Sequence, residues 1–90
     1  MEVQFSGVEL SQDEKNLLRA HIDKLEKPGI ELDSLAVNIK KHEKAGNRHK
    51  FSIHLRAENS SGLSVSESTE WDLKVAMRES FRKLEKELKK

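Results

Sequence analysis

Leu35-Ala36-Val37-Asn38-Ile39-Lys40 and, beyond a basic turn at Gly46-Asn47, Phe51-Ser52-Ile53-His54-Leu55-Arg56-Ala57-Glu58 alternate apolar and polar side chains. A period of two is the signature of strands that bury one face and wet the other. Two such strands joined by a Gly-Asn turn make a hairpin. Outward from it, Val3-Gln4-Phe5-Ser6-Gly7 reads as a short strand of the same kind. Leu63-Ser64-Val65-Ser66, after the turn Asn59-Ser60-Ser61-Gly62, opens a fourth. All four are expected to be apolar on the face that a second layer covers.

That second layer is helical. Ser11-Gln12-Asp13-Glu14 fits a capping box, in which serine and glutamate each satisfy a free backbone donor. Leu18, Ile22 and Leu25 then recur at helical spacing, and Pro28-Gly29 is expected to end the helix. Thr69 and Asp72 offer a second cap, followed by the stripe Leu73, Met77, Phe81, Leu84 and Leu88. The order is therefore β-α-β-β-β-α. Two amphipathic helices on one sheet face make an α+β two-layer sandwich over a four-stranded mixed sheet. The first two strands should be parallel across the first helix, and the last three an antiparallel meander.

Composition narrows the function. Ninety residues fit one domain, expected to span 1–90 and to be monomeric. There is no cysteine, which excludes disulfide frameworks, thiolate metal sites and thiol enzymes. No apolar run is long enough to span a membrane, and Met1-Glu2-Val3-Gln4 does not open a signal peptide, so a cytoplasmic protein is expected. Seventeen basic and sixteen acidic residues give a net charge of +1, yet the charge is segregated. Residues 40–56 carry Lys40, Lys41, Lys44, Arg48, Lys50 and Arg56 against Glu43 alone, whereas residues 57–71 carry Glu58, Glu67 and Glu70 and no base. Local cationic patches of this kind suit a polyanionic partner.

The last helix carries the strongest pattern. Lys74, Arg78, Arg82, Lys86 and Lys90 stand four residues apart and form one ridge, joined by Lys89. Successive residues turn by 100°, which centres the ridge about 140° from the apolar stripe and points it at solvent. Like charges in a row oppose helix stability, so the row suits phosphate tracking. The plainer reading is a solubilising face of glutamate–lysine pairs. Lys41, Lys44 and Arg48, with Lys40, His49 and Lys50, form a second basic group on the hairpin, open to the same two readings. Trp71, at the helix start, is expected to cover the end of the core, with stacking on a base or cation as the alternative.

Catalysis finds little support. There is no glycine-rich phosphate loop, no nucleophile elbow and no pair of carboxylates at a strand end. His42, His49 and His54 do not follow a zinc spacing. A binder with no catalytic residues, cofactor, metal or small-molecule substrate is the expectation.

The order of short motifs resembles one family. Gly62-Leu63-Ser64-Val65-Ser66, then Asp72, Ala76, Glu79, Lys83-Leu84-Glu85-Lys86 and Leu88, with Val8-Glu9-Leu10-Ser11 and Lys24-Leu25-Glu26-Lys27 earlier, are similar to the ribosome-hibernation factors. That group contains hibernation-promoting factor and ribosome-associated inhibitor A. The resemblance implies a translation inhibitor that enters the messenger- and transfer-RNA channel of the small ribosomal subunit during stress, touching ribosomal RNA through basic helix surfaces. It adds Lys24 and Lys27 on the first helix and Lys83 on the second to the candidate RNA contacts. Lys74 stands where the family usually has a tyrosine. With Lys90 as the last residue, the resemblance implies a short form, expected to lack the second domain of long members. Two other readings remain: a generic double-stranded RNA binder, or a protein-interaction module using a wet sheet face lined by Asn38, Ser52, His54, Arg56, Ser64 and Ser66.

Overall fold

A computed structural model describes residues 1–26 and 31–89. Its elements are β1 (Glu2–Gly7), α1 (Gln12–Leu25), β2 (Ser34–Lys44), β3 (Arg48–Asn59), β4 (Gly62–Glu70) and α2 (Leu73–Leu88). The expected order is the observed one. Strands lie in the sheet in chain order, with β1–β2 parallel and β2–β3–β4 antiparallel. Pro28-Gly29, expected to end the first helix, lie outside the described residues, as do Lys27 and Lys90.

Local chemistry sets the boundaries. At α1 the Ser11 hydroxyl accepts from the Glu14 amide at 3.2 Å, and the Glu14 carboxylate accepts from the Ser11 amide at 2.8 Å. This reciprocal box satisfies two of the donors that a helix start leaves free. At α2 Asp72 alone caps, accepting from the Lys74 amide at 2.8 Å. Thr69 belongs to β4, where its hydroxyl meets that of Ser52 at 2.8 Å. Lys44 pairs with Arg48, leaving the three-residue turn Ala45-Gly46-Asn47 with Gly46 and Asn47 both at positive φ. The hairpin is exposed from Lys40 to Arg48, and the molecule measures 45 × 24 × 17 Å.

Leu35, Val37 and Ile39 of β2 and Ile53, Leu55 and Ala57 of β3 form the floor of the core. Leu18 and Leu25 of α1 and Leu73, Ala76, Met77, Phe81 and Leu84 of α2 close it from above, with Leu10 beside them.

The fourth strand corrects the sequence reading. Ser64, Ser66 and Ser68 pair with Ala57, Leu55 and Ile53, so the serines share the core face. Leu63 and Val65 face the other way and are 52% and 60% exposed. The reason lies in α2, which runs directly over β4. Small side chains on the strand let the helix approach, and the Ser66 hydroxyl donates to the Ser80 carbonyl at 2.8 Å. Ser80, itself fully buried, donates to the Met77 carbonyl at 3.0 Å. Ser66 and Ser80 are tolerated in this core because each hydroxyl has a partner. By contrast, Val3 and Phe5 of β1 lie on the helix side in register with Leu35 and Val37, yet stay 42% and 44% exposed. They line an open groove with Leu10, Leu18 and Ile22.

Candidate nucleic-acid interface

The apolar stripe of α2 decides where its cations go. With Leu73, Ala76, Met77, Ser80, Phe81 and Leu84 buried, Lys74, Arg78, Arg82 and Lys86 are all exposed along the outer surface of the helix layer. The ridge expected from the spacing is thus present as a row of solvated cations. It is not a row of free ones throughout. Glu79 sits between Arg78, at 3.7 Å, and Arg82, at 2.6 Å. The hydrogen bond from Arg82 is the main cause that holds the Glu79 carboxyl below its usual range; desolvation opposes it, and the positive charges of Arg82, Arg78 and Lys83 each lower it by less. Lys89 pairs with Glu85 at 2.9 Å. Both readings of the ridge therefore have a basis: its middle is partly self-neutralised, while Lys74 and Lys86 make no ion pair among the described residues.

Lys83, a candidate RNA contact by resemblance, lies off the ridge and donates to the Glu67 carbonyl at 3.1 Å, clamping α2 to β4. Lys24 is exposed on α1 and lowers the pKa of His21, whose main cause of depression is burial against the second helix. The His21 ring stacks on Phe81 with centroids 5.1 Å apart, and this contact joins the two helices.

Strand alternation splits the hairpin cations between two faces. Lys40, Lys44, Arg48 and Lys50 share the open face of the sheet, whereas Lys41 lies opposite Phe51 on the helix side. Trp71 does not cover the core. The open-face row through Ser52 and Thr69 continues to Lys50 and Trp71, and the indole is 48% exposed. The Arg48 guanidinium lies 4.8 Å and the Lys50 ammonium 4.7 Å from its ring centre. Sequence reasoning placed Trp71 at a helix entrance because Asp72 follows it. The alternation Glu67, Thr69, Trp71 was the signal that the strand's face extends to it.

Elsewhere the open-face side chains engage one another. His54 meets Glu67 at 3.2 Å and Arg56 meets Glu58 at 3.7 Å. Asn38 donates to Ser6 at 2.7 Å, and His42 meets the Ser52 hydroxyl at 3.1 Å. Ser64 and Ser66, expected on this face, are on the other. His42 and His54 share the open face but engage different partners, and His49 lies on the helix side. Among the described residues no group of three or more histidine, aspartate or glutamate side chains is placed to hold a metal ion. No described helix is long and apolar enough to cross a membrane.

A family model described as Sigma 54 modulation protein / S30EA ribosomal protein matches residues 1–90. No protein with a curated description matches in sequence. Among solved structures, a ribosomal subunit interface protein from Coxiella burnetii superposes with a TM-score of 0.77 at 16% identity, over 99% of this chain and 94% of that one. The N-terminal domain of Thermus thermophilus Protein Y superposes with a TM-score of 0.72 at 20% identity, over 99% and 97% of the two chains. At these identities the superpositions establish the shared fold.

Proposed function

We propose that this chain, which belongs to the Sigma 54 modulation protein / S30EA ribosomal protein family, binds the small ribosomal subunit in the cytoplasm and holds translation down as a hibernation factor. Residues 1–90 act as one domain, by occupancy rather than by catalysis. The observation that supports this most directly is the exposed row Lys74, Arg78, Arg82 and Lys86 on the outer surface of α2. Such a row meets ribosomal RNA phosphates on a rigid support, with Lys24 on the neighbouring helix extending it. Because each neutralised phosphate releases counterions, binding falls steeply with salt.

Sedimentation with purified small subunits at low and at moderate salt tests the reading. Co-sedimentation should fade as salt rises and be lost in the triple variant Lys74→Glu, Arg78→Glu, Lys86→Glu, whose circular dichroism should match the parent because all three side chains are exposed. Persistent binding by that variant would reduce the ridge to a solvated face. Equal affinity for an isolated RNA duplex and for intact subunits would turn the reading to a generic duplex binder.

A further inference from the structure

The open face of the sheet is electrically divided, and only the fold reveals it. At the hairpin end it carries Lys40, His42 and Lys44 from β2, Arg48 and Lys50 from β3, and Trp71 beyond β4. Glu43 pairs with His49, and Glu70 with Phe51, so both nearby strand carboxylates project from the opposite face. Among the described residues, none of Lys40, Lys44, Arg48 and Lys50 makes an ion pair. Two of these cations instead converge on an exposed indole. A cation–π contact offsets little of a cation's charge, so the cluster retains its demand for an anion beside a flat aromatic surface. The cluster lies on the side of the sandwich away from α2, so the ridge does not account for it.

We propose that Trp71, Arg48 and Lys50 form a binding site for an unpaired nucleotide of an RNA strand. The base stacks on the indole, or on the guanidinium lying over it, while the flanking phosphates meet Lys50 and Arg48. Lys44 and Lys40, four residues and about 13 Å apart along β2, carry the strand on. Aromatic platforms between cations are the usual solution for single strands, because every base has a π-face and every nucleotide a phosphate. A duplex keeps its bases stacked and cannot use the platform, so this site and the ridge divide unpaired from paired RNA. Only the ribosomal source of the strand rests on the function proposed above.

Trp71 is the only tryptophan, so its emission reports the site directly. Titration with a short unstructured oligoadenylate should quench it, and a duplex of equal length should quench it far less. With a labelled oligoadenylate followed by anisotropy, Trp71→Ala should weaken binding about 5- to 150-fold, the effect of losing one stacked base at about 1–3 kcal/mol. Trp71→Phe should retain most of the affinity, and Arg48→Ala with Lys50→Ala should lower both affinity and its salt dependence. Equal binding by Trp71→Ala and the parent would overturn the proposal, as would equal displacement of the oligonucleotide by polyglutamate. The ridge triple variant separates the two ideas. If it loses subunits but keeps the oligoadenylate quench, both stand. Subunit binding by a parent protein that ignores the oligonucleotide refutes this site alone, and quench without subunit binding by the parent refutes only the ribosomal reading.

Discussion

Replacing Gly7 by alanine should be among the most damaging small changes in this chain. Gly7 ends β1 at φ +118, and a Cβ built there would stand 1.9 Å from the Ile39 carbonyl oxygen and 2.8 Å from its carbon and nitrogen. Ordinary contact begins near 3.4 Å, so β1 would have to retreat by about 1.5 Å. The obstacle is backbone in the middle of the sheet, which cannot swing aside as a flexible side chain would. Retreat would also stretch the bond from the Val8 amide to the Ile39 carbonyl, now 3.1 Å. Gly62 supplies the control, because its φ of +133 is similar but no atom lies within 4 Å of its Cβ position. Alanine there costs only the backbone strain of that region, about 1–3 kcal/mol. At Gly7 the crowding adds about 1–3 kcal/mol more. For a domain of this size about 1 kcal/mol lowers the melting temperature by about 4–8 °C. Gly7→Ala should thus melt about 8–16 °C below Gly62→Ala in circular dichroism, taking the middle of that range. Melting temperatures within about 4 °C of each other would refute the steric argument.

Three further outcomes follow from the packing. Because burial and then Lys24 lower the His21 pKa from its ordinary 6.5, the unfolded chain takes up the proton first. The associated stability is full above about pH 6.5 and is lost as pH falls through the lower folded value, so urea midpoints should drop towards pH 5, and His21→Phe should flatten that part of the profile. An unchanged slope in the variant would assign the acid sensitivity to other groups. Ser80→Leu should destabilise by about 1–3 kcal/mol in urea denaturation, because a fully buried serine packed against β4 has no room for two more heavy atoms. Leu63→Thr with Val65→Thr should change the stability from the same denaturation by less than about 0.5 kcal/mol each, as befits exposed positions, and a large loss would mean that this face is covered.

Much of the fold is decided by neighbours within a few residues, and that part is legible without coordinates. The capping box at Ser11 and Glu14, the cap at Asp72 and the turn at Gly46-Asn47 depend on bonds spanning two to four positions. The outward direction of Lys74, Arg78, Arg82 and Lys86 is equally local, because the rotation per residue of a helix relates it to Leu73, Met77 and Phe81. Burial is different. Alternation in β4 shows two faces, one of serines and one with Leu63 and Val65, and hydropathy chooses the wrong one. Only the close passage of α2 makes the serine face the inner one, since the helix comes near enough to exclude larger side chains and Ser80 supplies a carbonyl for Ser66. Glu79 between two arginines, and Trp71 beneath Arg48 and Lys50, likewise depend on which surfaces the strands and helices bring together. Periodicity assigns residues to the faces of each element, but which face is covered, and by what, is set by contacts between residues far apart in the chain.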